Sequence, residues 1–360
     1  MTKRKELTEA IPLADLKSLC TKAVKRIGYD DADTEILTDC MLAAQIRGNN
    51  QGIIKIPTGG LTPDPKAVAP KIVHESKLSA RMDGGQTAGM VVVGKAVDLA
   101  VSKAKDHGIG MVGTFNTSTS SGYLGYYAKR AADKGLVTII FANSPEFVCP
   151  EGAVQAIFGT NPLAFGIPRG DGQPPLILDM ATAAIALFGV LQAKTAGQEL
   201  PEGVAFDPQG NETKDPAGAL AGAIRTFGGY KGSHLALMVE LLAGPLCGAA
   251  TENKKAAKSW GHLILCIDPE TLVPADEFKK SVQIVLDRVK NAKRKEGAPE
   301  LFLPGERGDA TAAENEKRGF IEVEANLLRD LKKVAGEEEK EKEEEKLNGH
   351  TNGTSEQNGH

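Results

Sequence analysis

Cysteine is sparse in this 360-residue chain and shows no pairing pattern. Its five cysteines (Cys20, Cys40, Cys149, Cys247 and Cys266) are odd in number, scattered, and never in a CxxC pair. That excludes a disulfide framework and a cysteine zinc site, and it fits reduced, buried thiols in a cytoplasmic protein. A surplus of positive charge is also missing. Lys and Arg number 43 against 47 Asp and Glu, a net charge of −4, so no basic field draws nucleic acid or an acidic membrane. No apolar run approaches a membrane span, and Met1-Thr-Lys-Arg-Lys-Glu6 lacks an apolar signal region. The Asn-x-Ser/Thr triplets at Asn116, Asn211 and Asn352 therefore carry no glycosylation message. Histidine is rare. His74, His107, His234 and His262 form neither HxH nor HExxH, so no metal is expected. His107 reads as a helix-end dipole partner and His262 as structural; only His234, beside Lys231, lies near a plausible site.

What is abundant is glycine, 40 residues with no three-residue period, in a chain that is 41% hydrophobic. Such a chain buries a substantial core and is long enough for two domains. Apolar residues at helical spacing predict helices over 12–47, as a pair closed by Gly28 and capped by Asp31 or Asp33, and over Val93–His107. Further helices are expected over Leu235–Ala249, apolar nearly all round and hence central or at a subunit interface, over Pro274–Arg294 and over Leu327–Val334. Short apolar runs at Gly110–Gly113, Leu136–Ala142, Leu163–Ile167, Leu176–Leu178, Leu263–Ile267 and Phe320–Val323 predict strands. Pro57–Pro70 reads as a surface loop. From Gly336 the composition turns to Glu/Lys and then Asn, Gly, Thr and Ser, which predicts a disordered tail over 336–360.

Four polar, glycine-marked loops stand between these elements: Thr114–Tyr127, Phe158–Pro162, Leu178–Thr182 and Gly228–Gly232. Hydroxyls and free N–H groups placed where a strand gives way to a helix suit an anion or polar ligand. Gly108-Ile-Gly-Met-Val-Gly113 matches GxGxxG, but a helix precedes it and a strand follows, the reverse of the dinucleotide fingerprint. It reads as a plain turn. Gly228–Gly232 has the favourable context, opening onto a long helix, so its N–H groups and Lys231 suit a phosphate; a flexible helix start with a solvated lysine fits equally. Asp179 either accepts hydrogen bonds from a ligand or caps the next helix, and Glu306 lies in a turn.

In order along the chain, these loops resemble the malate/L-lactate dehydrogenase type 2 family, which includes sulfolactate and ureidoglycolate dehydrogenases. The resemblance runs from Leu13 to Val334 and rests on Arg47-Gly48, Met82-Asp-Gly84, His107–Gly110, Gly125-Tyr-Tyr127, Asn143-Ser144, Phe158–Pro162, Leu178–Thr182, Leu200–Gly203, Lys231-Gly232, Val239–Gly244, Ile267–Pro269 and Pro304–Glu306. It implies an α/β, non-Rossmann NAD(P)-binding fold, in a homodimeric oxidoreductase that takes a small 2-hydroxy or 2-oxo acid. We divide the chain into a helical domain of 12–80 with 274–334 and an α/β cofactor-binding domain of 81–273. Carried over by position, contacts to NAD or NADP fall on Ser144, Asp179, Met180, Ala181, Lys231, Gly232, Pro304, Gly305 and Glu306.

The chain departs from the family at its chemistry. The family's proton-transferring histidine, in Ser-Asn-His-Phe-Gly, falls on Ser120. A second histidine becomes Gln51, the arginine that pairs with the substrate carboxylate becomes Lys55, and a Gly-Lys becomes Gly189-Val190. A serine hydroxyl does not replace imidazole as a general acid near neutral pH. Lys55, Tyr123, Lys231 or a bound water then stand as relocated acids, with Ser120 and Gln51 left to hydrogen-bond the substrate. Three readings follow: a dehydrogenase of 2-hydroxy acids, a reductase of cyclic ketimine carboxylates, whose protonated imine needs an external acid less, and a cofactor-binding protein that has lost catalysis.

Overall fold

Apolar runs bounded by glycine and polar turns become strands, and seven of them join in one sheet in the computed structural model, which describes residues 8–49, 52–170 and 172–337. Across the sheet the order is Lys71–Glu75, Ser79–Asp83, Ile109–Thr117, Trp260–Ile267, Val137–Ala142, Leu163–Ile167 and Leu176–Met180. Only the Ser79–Asp83 and Ile109–Thr117 pairing is parallel. The helix Gly89–His107 spans that pair, as a parallel connection requires. A sheet so largely antiparallel is not the parallel, doubly wound sheet of the Rossmann type.

The GxGxxG segment takes its place in this sheet as a turn. Gly108 ends the helix in the left-handed region (φ 84°), and the strand begins at Ile109. A Cβ on Gly110 would lie 1.9 Å from the Ala100 carbonyl oxygen, so glycine there lets the strand lie against the preceding helix. The helix is buried along most of its length, against the sheet on one side and the helices Asp31–Gln45 and Leu124–Ala132 on the other. Its fully buried Val91, Val92, Val93 and Val97 join Leu16, Leu37 and Met41 in the main core, each contributing about 1.5–3 kcal/mol by burial.

The two ends of the described chain meet. Thr8–Pro12 pairs antiparallel with Phe320–Glu324, and the helices that follow these strands, Leu13–Ile27 and Ala325–Ala335, pack together. A second, smaller core gathers Val148, Phe158, Val190, Leu200, Ile224 and Ala236 around a three-stranded sheet of Val148–Cys149, Ala223–Arg225 and Ala205–Phe206.

Several boundaries differ from the sequence reading. Asp30, not Asp31 or Asp33, caps the second helix, accepting the Asp33 N–H at 2.8 Å. Strands at Thr8–Pro12, Lys71–Glu75 and Ser79–Asp83 were not expected; Lys71–Glu75 is exposed throughout, so it carries no apolar alternation. His74 lies in that strand. The long apolar helix runs from Tyr230 to Ala243 and breaks at Gly244. Glu306 opens an unexpected helix, Glu306–Arg318. Among the described residues no helix is long and apolar enough to cross a membrane. Beyond Glu337 the tail lies outside the described residues, as does Gln51.

Candidate functional site

The polar loop after Ile109–Thr117 is held by its own hydroxyls. Ser118 Oγ donates to the Gln86 carbonyl at 2.7 Å, and Thr119 Oγ1 accepts the Gly89 N–H at 3.1 Å. The chain then turns at Gly122 and enters the helix Leu124–Ala132. Tyr123, at the cap position, supplies no side-chain cap. Asp179 does so from the edge strand, its Oδ2 accepting the Gly125 N–H at 2.8 Å. The sequence reading has Asp179 capping the next helix; the helix it caps lies earlier in the chain, and Leu187–Ala196 has no side-chain cap. Desolvation pushes its carboxyl up to about 6, against the Gly125 and Leu124 N–H groups, which pull it down.

Lys55 reaches the same place from the 3-10 turn Ile53–Lys55, which Gln45 holds by accepting the Ile53 N–H. The residue is 1% exposed. Its Nζ lies 3.4 Å from Ser120 Oγ and 3.7 Å from the centre of the Phe188 ring. Burial lowers its ammonium to about 7, partly offset by Cys40. Cys40 itself donates to the Tyr123 carbonyl at 3.9 Å, and burial raises its thiol to about 11. Burial likewise raises the Tyr123 hydroxyl to about 12, with Arg47, Asp179 and Asp309 acting on it as nearby charges. Arg47 bonds Asp309 at 3.2 Å, tying the end of the second helix to Glu306–Arg318. Ser120, Lys55, Tyr123 and Asp179 thus gather at the start of one helix.

A second group of loops is tied together by a run of hydrogen bonds. Ser144 Oγ accepts the Thr160 N–H at 3.1 Å, and Thr182 donates both its N–H and its hydroxyl to the Thr160 carbonyl. Phe227 N–H in turn donates to the Thr182 carbonyl at 3.0 Å. A Cβ on Gly232 would fall 1.8 Å from the Phe227 carbonyl oxygen, so the first turn of Tyr230–Ala243 is pressed onto this series. Lys231 projects from that turn into solvent. Met180 and Ala181 lie half-buried between Asp179 and Thr182, where the two groups of loops meet. Thr182 Oγ1 also donates to the Asn161 carbonyl, and the fully buried Lys254 ammonium bonds both Glu240 oxygens at 2.8 and 2.9 Å while Glu240 accepts from Asn161 at 2.9 Å.

Pro304, Gly305 and Glu306 approach the same edge strand, since a Cβ on Gly305 would lie 2.8 Å from the Ile177 carbonyl oxygen. Glu306 is engaged locally, accepting the Leu303 N–H at 2.7 Å and Lys290 at 2.9 Å. These contacts hold its carboxyl below the usual range although desolvation acts the other way. His262 stands apart from the site, 1% exposed, with Nδ1 2.8 Å from Thr114 Oγ1. His234 is exposed on the first turn of its helix beside Tyr230. Cys40 and Phe188 escaped the sequence reading because each looks like an ordinary apolar helix residue.

Comparison with known proteins places the chain in a family. The family model for malate/L-lactate dehydrogenase matches residues 11–332. An L-sulfolactate dehydrogenase of Methanocaldococcus jannaschii is 35% identical over 89% of this chain and 95% of its own length. A Delta(1)-pyrroline-2-carboxylate/Delta(1)-piperideine-2-carboxylate reductase of Pseudomonas syringae pv. tomato is 31% identical over 91% of this chain and 97% of its own. The solved malate dehydrogenase of Pyrococcus horikoshii OT3 superposes with a TM-score of 0.82 at 26% identity, covering 94% of this chain and 97% of that one. With its mixed sheet, its terminal ribbon and its loops in family order, the chain belongs to the malate/L-lactate dehydrogenase family.

Proposed function

We propose that the protein is an NAD(P)-dependent oxidoreductase that moves a hydride between a nicotinamide cofactor and a small 2-hydroxy or 2-oxo acid. The observation that carries this reading is the tie at Asp179–Thr182: Asp179 bonds the Gly125 N–H of the loop group that holds Ser120 and Lys55, and Thr182 bonds Phe227, against which the first turn of Tyr230–Ala243 packs. For the cofactor, the first turn of Tyr230–Ala243 offers N–H groups, a positive dipole end and the exposed Lys231. Ser144, Met180 and Ala181 line the approach, with Asp179 capping below and Pro304, Gly305 and Glu306 closing the far side of the edge strand. The cofactor supplies or accepts the hydride; the protein's residues bind, orient and exchange the proton.

A second reading, reduction of a cyclic ketimine carboxylate, is supported by the serine at position 120. A protonated imine already carries the charge that a carbonyl must receive from an acid. The two are separated by mixing the protein with NADH or NADPH and a panel of 2-oxo acids and cyclic ketimines, following loss of reduced-nicotinamide absorbance. Turnover of 2-oxo acids is expected. Preference for ketimines would transfer the assignment to the second reading, and cofactor binding without turnover would leave a binding protein.

The assembly we propose is a homodimer. Leu237, Met238 and Leu241 on the long helix are 39–47% exposed, an apolar face suited to a second copy. The five cysteines are free and buried, in keeping with a cytoplasmic setting. We also propose a helical unit built from the two ends of the chain (12–80 with 274–334 in the sequence division) and a cofactor-binding α/β unit, which the pairing of Thr8–Pro12 with Phe320–Glu324 supports; the strands Lys71–Glu75 and Ser79–Asp83 belong with the sheet of the α/β unit, so its start moves from 81 to Lys71.

A further inference from the structure

We infer that Ser120 and Lys55 form a proton relay: Ser120 hands its hydroxyl proton to the oxygen of the reducible carbonyl, and Lys55 replaces it. The inference rests on the oxidoreductase reading and names the acid that reading lacks.

The first support is the hydrogen-bond count at Ser120. A hydroxyl has one proton to donate and two lone pairs to accept with. Ser120 Oγ accepts the Gly122 N–H at 3.1 Å and faces the Lys55 ammonium at 3.4 Å. Both lone pairs are thereby engaged, and the proton is directed away from Gly122 and Lys55 alike. Ser120 sits half-buried in the loop that opens the Leu124–Ala132 helix, at the position where the family's acid falls.

Lys55 provides the second support. A serine alone is far too weak an acid, so the proton must be drawn from a group that releases it near neutral pH. The Lys55 amine is withdrawn from water under the Phe188 ring and titrates at about 7, where an ordinary lysine stays fully charged. Titratable groups gathered at the same helix start do not compete. The Cys40 thiol, from the helix Asp31–Gln45, and the Tyr123 hydroxyl, from the loop, are raised to about 11 and 12 and stay neutral. Asp179, from the edge strand, is engaged by Gly125, and Arg47 and Asp309 pair with each other.

The step balances as follows. The carbonyl π bond breaks as its carbon gains the hydride, which oxidises the reduced nicotinamide and reduces the substrate. The developing alkoxide takes the Ser120 proton, Ser120 Oγ takes one from Lys55, and the neutral Lys55 amine is reprotonated from water after product leaves. In the oxidative direction each transfer reverses.

The test combines a titration with kinetics on the full chain. In protein labelled with 13Cε-lysine, the Lys55 resonance is identified by its loss in Lys55→Met, and its midpoint is read by NMR without cofactor. A midpoint near 7 that moves in Ser120→Ala is expected; a midpoint at the ordinary lysine value, about 10.4, would overturn the relay. With oxaloacetate or pyruvate as probe, Lys55→Arg and Lys55→Met should both lower kcat by roughly 100-fold or more at similar KM. The wild-type fall of kcat with rising pH should vanish with them. If instead Lys55 serves as a charge for the substrate carboxylate, Lys55→Arg restores kcat and the relay is refuted. NADH and NADPH binding, read by nicotinamide fluorescence, should be unchanged in these variants. Failure of the wild type to bind either cofactor would remove the oxidoreductase reading itself, and the relay with it.

Discussion

The Asp179 carboxylate accepts the Gly125 N–H at 2.8 Å, so a residue on the edge strand caps a helix through a residue 54 positions earlier in the chain. That single contact fixes where the loop carrying Ser120 ends and where the strand leading to Met180 and Ala181 begins. Asp179→Ala loses the cap and should be less stable than Asp179→Asn, which keeps an acceptor, by ~1 kcal/mol. The folded carboxyl, at about 6, lies above its ordinary value of 3.8. Folded protein therefore holds the extra proton between those values, and stability from this group falls as pH rises through 6. Urea unfolding at pH 4 and pH 8 should show the Asn variant gaining on wild type at the higher pH.

Lys254 and Glu240 should tolerate truncation poorly. The ammonium is fully buried and bonded to both carboxylate oxygens, which also hold Asn161. Removing one partner strands the other charge away from water, at a cost of about 3–5 kcal/mol. Lys254→Met is expected to lower the thermal midpoint sharply, by calorimetry, and to loosen the loop at Asn161. An unchanged midpoint would mean that the pair carries little of the site's rigidity.

His262 makes the fold sensitive to acid. Burial lowers its imidazole to about 3 from 6.5, so the unfolded chain binds a proton that the folded chain refuses. Stability from this group is present above pH 6.5 and is lost as pH falls through the window down to 3, at about 1.4 kcal/mol per pH unit. The denaturant midpoint of wild type should fall between pH 7 and pH 5, and His262→Phe should flatten that slope.

Lys231 and Gly232 are expected to separate affinity from stability. Lys231 is exposed, so Lys231→Ala should leave the unfolding midpoint unchanged while weakening NADH or NADPH binding about tenfold. Gly232→Ala places a methyl against the Phe227 carbonyl and must displace the loop, lowering affinity and stability together. Fluorescence titration beside thermal melts reads both. Equal cofactor affinity in Lys231→Ala and wild type would remove the phosphate from this helix start.

The apolar face of Tyr230–Ala243 is tested by charge. Leu241 is 46% exposed, and Leu241→Glu should convert the proposed dimer to monomer in sedimentation velocity at micromolar concentration. A wild type that sediments as a monomer would leave that face without its second copy.

Much of the architecture was already legible as local pattern. Helical spacing marked Leu13–Ile27, Asp31–Gln45 and, from Val93 onward, Gly89–His107, and short apolar runs marked five of the seven strands in the large sheet, because each of those signals reflects which face of one element is buried. The order helix, turn, strand was enough to set aside GxGxxG, since phosphate recognition by that motif needs the opposite order. The exposed strand Lys71–Glu75 and the helix opening at Glu306 went unseen: neither buries a regular stripe, and the first is placed by pairing with Ser79–Asp83, the second by tertiary contacts that include Arg47–Asp309.

By itself the sequence determined the element types, the polar loops and the absence of histidine from the expected acid position. Folding decided what those loops do. Lys55 and Ser120 are 65 residues apart, as Gly125 and Asp179 are 54, and no local period encodes such distances. Sheet order brings them together, and it is burial under Phe188, a property of the packed molecule, that turns an ordinary lysine into one that titrates near neutrality.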